Sequence, residues 1–126
     1  MNIPKDLKYT KDHEWIKVID DHAVVGITDF ASHELGDIVF VETEALEEQI
    51  GGGEPFGSIE AVKTVSDMLM PVSGTVLETN ELLEDAPETV NNDPYGEGWI
   101  VKIKISDPSE LDKLLSAAEY EKFISE

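Results

Sequence analysis

The fold is decided by the stretch Gly57-Ser58-Ile59-Glu60-Ala61-Val62-Lys63-Thr64-Val65-Ser66-Asp67. It joins two strand-forming runs, 55–61 and 65–70, through a short connection. Two such runs with a short connection are typical of a β-hairpin. Lys63 lies at the predicted turn, and it is the only lysine between Lys17 and Lys102. The stretch therefore predicts a hairpin that projects one isolated lysine into solvent.

Alternating apolar and polar residues extend to much of the remaining chain. Further strands are predicted at 15–19, 23–27, 38–41, 75–79 and 99–105. In the last of these, one face carries Trp99, Val101, Ile103 and Ile105, and the other carries Lys102 and Lys104. A lone hairpin is marginally stable, so these strands should close over a common core. Many short strands with Gly or Pro turns indicate a mainly β sandwich or barrel, with loops at 42–54 and 80–98.

Helical signals occur in two places. A short helix is predicted at 28–35, with Thr28 or Asp29 as its N-cap and Gly36 as its stop. A C-terminal helix is predicted over about 107–125, because Asp107 can cap it and a proline follows at the first helical position. An apolar stripe is formed by Leu111, Leu114, Leu115 and Ala118, and a second capping-box pattern covers 116–119.

Composition narrows the class of protein. The chain has 126 residues, which suits one domain, and a net charge of −19 with 40% hydrophobic residues. Such an excess of acid argues against binding to nucleic acid or to anionic membranes, because both attract cationic surfaces. There is no cysteine, and the N-terminus lacks the apolar segment of a targeting signal. We therefore expect a soluble, cytoplasmic protein whose acidic surface either keeps it soluble or attracts basic partners.

Motifs for stand-alone catalysis are missing from the sequence. The glycines at 51–53 precede a strand and lack phosphate-loop spacing, and no nucleophile elbow is present. The histidines His13, His22 and His33 are too scattered to suggest a zinc site, so no metal is expected. Lys63 remains. Schiff-base chemistry needs an uncharged amine, whereas the nearby carboxylates of Glu60 and Asp67 favour the ammonium form. Lys63 is either a solvated turn residue or the attachment point of a covalent cofactor.

The segment 60–67, followed by 71–80, resembles the lipoyl-lysine region of the glycine cleavage system H protein family. The likeness continues in order along nearly the whole chain, through 9–15, 25–31, 35–42, 85–88, 90–91, 93–99 and 106–111. It weakens at 43–50, where this chain has an acidic run in place of the family's proline and glycine.

The resemblance implies a barrel-sandwich hybrid fold in one lipoyl-type carrier domain over 1–126, with a C-terminal helical extension. It implies that lipoate forms an amide with Lys63, and that lipoylating enzymes recognise Glu60 and Gly74. Gly74 also has a simpler interpretation as a turn residue between strands. By the same resemblance, the loaded arm folds into a cleft near 13–15 and 66–67, where Glu14 and Asp67 contact its amine.

The implied function is that of a carrier without catalytic activity of its own. A pyridoxal-phosphate glycine decarboxylase (P protein) would load an aminomethyl group. A tetrahydrofolate-dependent aminomethyltransferase (T protein) would then unload it, and a dihydrolipoyl dehydrogenase (L protein) would reoxidise the arm. We expect the carrier to be a monomer.

Three other interpretations stay open. An octanoyl or lipoyl relay to other lipoyl domains would use the same lysine. A biotin carrier is disfavoured, because biotinyl domains favour Met beside the target lysine, whereas Val62 and Thr64 flank Lys63. An acidic interaction module would explain the charge but not the hairpin motif.

Overall fold

The computed structural model describes residues 2–43 and 47–125. Nine strands lie at Lys8–Tyr9 (β1), Glu14–Ile19 (β2), His22–Ile27 (β3), Ile38–Thr43 (β4), Gln49–Ile50 (β5), Pro55–Ala61 (β6), Val65–Leu69 (β7), Gly74–Thr79 (β8) and Val101–Ile105 (β9) within the described residues. The helices are Asp29–Leu35 (α1), Leu82–Asp85 (α2), Thr89–Asn92 (α3) and Ala117–Ile124 (α4), with a 3-10 helix at Pro108–Lys113.

Two antiparallel sheets form the body of the protein. The larger has the strand order β1-β2-β3-β9-β8-β5, and the smaller has the order β4-β6-β7. The main core contains residues from both sheets, including Ile16, Ile59, Met68, Val76 and Ile103. Apolar side chains from both sheets share one interior, which removes their surface from water and supplies most of the driving force for folding. The predicted mainly β class is confirmed.

The hairpin that contains Lys63 is confirmed. Strands β6 and β7 pair in the expected antiparallel register, with Glu60 opposite Val65. The turn is closed by the backbone N–H of Ala61, which donates to the carbonyl of Thr64 at 2.7 Å. Lys63 therefore lies in the connection between two paired strands.

The last predicted strand is shorter than expected. Strand β9 begins at Val101, and Trp99 lies before it, half-buried, with its ring 4.8 Å from the Nζ of Lys102. Trp99 is therefore not one of the inward-facing residues, and Ile100 is buried instead, at 1% exposure. The alternation breaks at Ile100, whose backbone N–H donates to the carbonyl of Val25.

The predicted loops contain short regular elements. The segment 80–98 includes α2 and α3, and 42–54 includes the end of β4 and the two-residue strand β5. Elements of two to four residues are too short for a hydrophobic period to predict. Residues 44–46 of the first predicted loop lie outside the described residues.

Helix α1 begins and ends as its sequence predicts. The hydroxyl of Thr28 accepts a hydrogen bond from the backbone N–H of Ala31 at 3.2 Å, so Thr28 is the N-cap. Gly36 ends the helix with a φ of 79°, which favours glycine, and its N–H donates to the carbonyl of Ser32.

The predicted C-terminal helix is confirmed as α4, but it does not extend over the whole of 107–125. Asp107 does cap the start, but it caps a 3-10 helix that ends at Leu114, whose backbone is extended. The two backbone groups of Leu115 pair with those of Tyr9 at 2.8 and 2.9 Å, which interrupts the helix. The second capping box, from Ser116 to Glu119, then begins α4. The leucine stripe is consequently divided between different elements.

A second apolar cluster holds α4 against the larger sheet. It contains Leu7, Tyr9, Trp15 and Tyr120, and the rings of Tyr9 and Tyr120 stack with centroids 4.8 Å apart. Within residues 2–43 and 47–125, the helices are all too short or too polar to cross a membrane.

We predict that Gly26→Ala destabilises this cluster by about 1–3 kcal/mol, because it overpacks a filled site. A Cβ on Gly26 would lie 2.7 Å from the indole of Trp15, which is 1% exposed and donates its N–H to Pro94. Urea denaturation measures the change. Gly51→Ala is the matched control, because its Cβ would meet only the flexible carboxylate of Glu54. Equal stability of the two variants would contradict the prediction.

Candidate functional site

Lys63 is exposed at the tip of the β6–β7 hairpin, and the tip itself is anchored. The backbone N–H of Val62 donates to the carbonyl of Asp37 at 3.0 Å, which ties the turn to the connection between α1 and β4. The lysine side chain lies against this connection, since a Cβ built on Gly36 would be 3.4 Å from its Cε. The fold therefore holds the turn that carries Lys63 in a defined position on the body of the protein.

Exposed apolar side chains lie on the hairpin that contains Lys63 and on the strand paired with it. Phe40 pairs with Glu60 in the smaller sheet, and Glu60 pairs with Val65, so the three residues form one row across it. Phe40 is 48% exposed and Val65 is 61% exposed, while Val62 in the turn is 75% exposed. Exposed apolar residues grouped in one region mark contact surfaces. Glu60, predicted from the resemblance as a recognition residue, lies on this surface.

Gly74 lies at the start of β8, in the other sheet, where it pairs with Ile105. A Cβ at this position would lie 2.5 Å from the carbonyl oxygen of Lys104. Backbone cannot move away cheaply, so packing alone requires glycine here. This packing constraint accounts for Gly74 whether or not an enzyme also recognises it.

A cleft of about 140 Å³ brings Glu14 and Asp67 together. It lies between the turn before β2, one face of α1 and the edge strand β7. Its lining is Asp12, His13, Glu14, Ile27, Ala31, Glu34, Leu35, Ile59, Ser66, Asp67 and Met68. The two segments that the resemblance placed together are thus neighbours in the structure.

Glu14 is the buried carboxyl group of this cleft. The residue is 3% exposed, and its Oε2 accepts the backbone N–H of Leu69 at 2.6 Å. Burial raises the pKa of Glu14 to about 8, although the hydrogen bond from Leu69 acts in the opposite direction. A carboxyl group with so high a pKa is largely protonated when the cleft holds no cation. A cation beside it would favour the ionised form.

The rim of the cleft carries further negative charge. Asp12, Glu34 and Asp67 line it, and Asp67 is exposed on the edge strand four residues after Lys63. Leu35, on the opposite wall, directly precedes Gly36, beside which the lysine side chain lies. The cleft is therefore suited to a small cation carried on a group attached at Lys63.

The sequence did not indicate the contribution of α1. Ala31, Glu34 and Leu35 line the cleft, and their i, i+3 and i+4 spacing places them on one helix face. That spacing was the available signal, but nothing local showed what the face would cover. The backbone N–H of Leu69 could not be found from residue types at all. No group of three or more His, Cys, Asp or Glu side chains within 2–43 and 47–125 is arranged to hold a metal ion.

His13 precedes Glu14 in an unusual conformation. Its φ is 67°, a left-handed value that costs a non-glycine residue about 1–2 kcal/mol. Its Nδ1 lies 2.9 Å from the hydroxyl of Tyr120, and its ring lies 4.7 Å from that of Phe30. Burial lowers the pKa of His13, which favours the neutral imidazole. This conformation directs the chain so that Glu14 enters the interior.

We predict that Glu14→Gln stabilises the protein at pH 8 and has little effect near pH 4. Because the pKa of Glu14 is raised to about 8 in the folded state, its stabilising contribution is full at low pH. It is lost as the pH rises from about 4.5 through 8, over which the unfolded chain is ionised and the folded chain is not. The expected gain is of order a few kcal/mol at most. Urea denaturation across this pH range measures it.

The control for this prediction is Glu84→Gln, which removes an exposed carboxylate outside the cleft. It should leave the pH dependence of stability unchanged between pH 4.5 and 8. If Glu14→Gln behaves like this control, the side chain of Glu14 does not have a raised pKa.

Comparison with known proteins identifies the family of this chain. Residues 7–126 match the family described as Glycine cleavage H-protein. A glycine cleavage system H protein of Chlorobium phaeovibrioides is 60% identical over 126 residues, covering 98% of both chains. One from Staphylococcus carnosus is 55% identical over 100% of both chains. The crystal structure of a glycine cleavage system H protein from Mycobacterium marinum matches with a TM-score of 0.90 at 39% identity, covering 98% of this chain and 100% of that one. The predicted barrel-sandwich class is thereby confirmed, and the chain belongs to the glycine cleavage H-protein family.

Proposed function

We propose that this protein is a lipoyl-lysine carrier of the glycine cleavage system, with lipoate joined by an amide to Lys63. The observation that carries the proposal is the juxtaposition of an exposed lysine on an anchored hairpin turn with an acidic cleft lined by the strand that follows it. A solvated turn lysine would explain its exposure. A solvated lysine would not explain why the following strand, β7, lines a cleft that contains a buried carboxyl group.

The surroundings of Lys63 suit enzymatic acylation. The amine must enter the active site of another protein, which needs an exposed lysine on a turn of fixed shape. The tip has both properties, because Lys63 is exposed while Val62 is hydrogen-bonded to Asp37. The apolar residues Phe40, Val62 and Val65 offer a contact surface beside it. We propose that lipoylating enzymes bind this surface, with Glu60 at its centre.

When attached to Lys63, lipoate would supply a dithiolane disulfide that can take up an aminomethyl group on one sulfur while the other sulfur becomes a thiol. The residues of this chain hold and shelter the amine of the loaded arm. Glu14 provides a carboxylate out of contact with water, and Asp67 provides a second charge at the mouth of the cleft. A charge-assisted hydrogen bond in a buried site is stronger than one in water, so these contacts favour the folded-back arm.

The remaining partners follow from family membership. We propose that the P protein loads the arm, the T protein unloads it and the L protein reoxidises it, while the carrier itself catalyses none of these steps. Covalent attachment makes each transfer depend on docking and not on a free cofactor finding its enzyme. The net charge of −19 would favour docking to basic surfaces around each active site. We propose that the carrier acts as a cytoplasmic monomer.

We predict that lipoylation occurs at Lys63 and at no other residue. The protein is co-expressed with a lipoate ligase and lipoate, its intact mass is measured, and the modified peptide is mapped. Lys63→Arg should show no adduct, because an arginine guanidinium cannot form the amide. Lys104→Arg is the matched control, since it replaces another exposed lysine and should leave the adduct intact.

An adduct that survives Lys63→Arg would contradict the lipoyl proposal. A mass increase corresponding to biotin on Lys63 in place of lipoate would also overturn it, in favour of a biotin carrier.

We predict that Glu14→Gln and Asp67→Asn each shorten the half-life of the aminomethylated arm, by about tenfold for the buried Glu14 and less for the exposed Asp67. Each substitution keeps the shape of the side chain and removes the charge that holds the amine. The half-life is measured by following the loaded mass over time after separation from the P protein. The Glu84→Gln variant is the control, and it should match the unsubstituted protein. Unchanged half-lives in both cleft variants would contradict the assignment of the cleft.

A further inference from the structure

Tyr120, on the C-terminal helix α4, does not line the cleft, yet it contacts the residues that shape it. Its hydroxyl lies 2.9 Å from the Nδ1 of His13 and 2.7 Å from the Oγ1 of Thr28. His13 belongs to the turn on one wall of the cleft, and Thr28 is the N-cap of the helix on the other wall. One hydroxyl group therefore joins the two walls.

The wall that carries Glu14 depends on His13. This residue has a positive φ, and its carbonyl accepts the backbone N–H of Thr28 at 3.0 Å. The preceding turn is closed by Thr10, whose hydroxyl accepts the N–H groups of Asp12 and Glu14, both at 3.2 Å. A side-chain anchor on a strained residue keeps it from relaxing to an ordinary conformation. The imidazole that contacts Tyr120 is that anchor.

The wall formed by α1 depends on Thr28. The Thr28 hydroxyl accepts the N–H of Ala31, the first cleft-lining residue of the helix. Thr28 and Tyr120 are both fully buried, so neither hydroxyl has water as an alternative partner. Without the Tyr120 hydroxyl, the Thr28 hydroxyl would keep the N–H of Ala31 but lose its other partner, which is costly in the interior. Together with the backbone hydrogen bond from Thr28 to His13, the Tyr120 hydroxyl fixes the spacing between α1 and the turn on the side away from the cleft.

We propose that Tyr120 is a positioning residue for the cleft: by bridging His13 and Thr28 it sets the separation of the two walls and so determines how long the loaded arm stays sheltered. The inference rests on the proposed carrier function. Tyr120 lies 57 positions after Lys63 in the sequence. The inference therefore gives the C-terminal helix a role in sheltering the arm and no role in attaching the cofactor.

The decisive variant is Tyr120→Phe, which removes the bridging hydroxyl and keeps the ring stacked on Tyr9. The matched control is Tyr9→Phe. It removes another hydroxyl from the same ring pair, but that hydroxyl donates to the carbonyl of Pro4 at 2.6 Å and contacts neither wall. Both variants lose a hydrogen bond and some stability, so a difference between them reports the bridge itself.

The first readout is the pKa of Glu14 in the unmodified protein, measured by NMR of its side-chain carboxyl carbon. In Tyr120→Phe the walls separate, water reaches the carboxyl group, and its pKa should fall by about one unit or more. In Tyr9→Phe it should stay where it is in the unsubstituted protein. Asp12, Glu34, Asp67 and His13 also face Glu14, and all of them are unchanged in both variants.

The second readout is the half-life of the aminomethylated arm. Tyr120→Phe should shorten it by about fivefold, while the rate of lipoylation at Lys63 stays within about twofold of the unsubstituted protein. Tyr9→Phe should leave both quantities unchanged. A Tyr120→Phe variant with the Glu14 pKa and the arm half-life of the control overturns the inference.

If Tyr120→Phe does not fold, His13→Gly tests the same bridge. Glycine adopts a positive φ without strain and has no side chain to contact the Tyr120 hydroxyl. This variant should also lower the pKa of Glu14, and an unchanged pKa overturns the inference. The pKa readout needs no lipoyl group, so failure of the carrier proposal, seen as no adduct on Lys63, is distinguishable from failure of this one.

Discussion

The hydrogen bond from the backbone N–H of Leu69 to the carboxyl group of Glu14, 2.6 Å long, is the constraint on which the candidate site depends. Glu14 begins β2 in the larger sheet, and Leu69 ends β7 at the edge of the smaller one. Edge strands leave N–H groups unpaired, and an unpaired group is costly once it is removed from water. By accepting this one, Glu14 joins the two sheets where the cleft opens. The same contact holds β7, and therefore Asp67, at a fixed distance from the buried carboxyl group.

Local patterns in the sequence were sufficient for the longer strands, for α1 and for the position of Lys63 in a hairpin turn. Strand alternation predicted β6 and β7, and the capping residue Thr28 with Gly36 predicted the ends of α1. The C-terminal region was harder. The leucine stripe is compatible with one helix, but the pairing of Leu115 with Tyr9 satisfies the backbone in another way. A tertiary hydrogen bond across more than 100 residues overrides a local preference, and no pattern within the segment reveals it.

The candidate site could be predicted only as far as the resemblance reached. It named Glu14 and Asp67, and the structure places both in one cleft. It did not name α1, Leu69 or Tyr120, because their contribution depends on contacts between residues distant in sequence. Glu14 and Leu69 are 55 positions apart, and His13 and Tyr120 are 107 apart. Composition was of still less help, since a chain with 28 acidic residues offers carboxylates almost everywhere, and only burial distinguishes Glu14 from them.

The hydrogen bond from the backbone N–H of Val62 to the carbonyl of Asp37 limits how far a group attached at Lys63 could reach. Many tethered cofactors reach further because a flexible peptide linker lets the domain that carries them move. Here the turn is fastened to the body of the protein, and the lysine stem rests beside Gly36. The reach of a lipoyl group on Lys63 would then come from rotation about the single bonds of the lysine side chain and of the lipoyl chain. Under the proposed carrier function, transfer between enzymes would require the whole 13.9 kDa protein to dissociate, diffuse and dock again, so its diffusion would limit the rate of transfer.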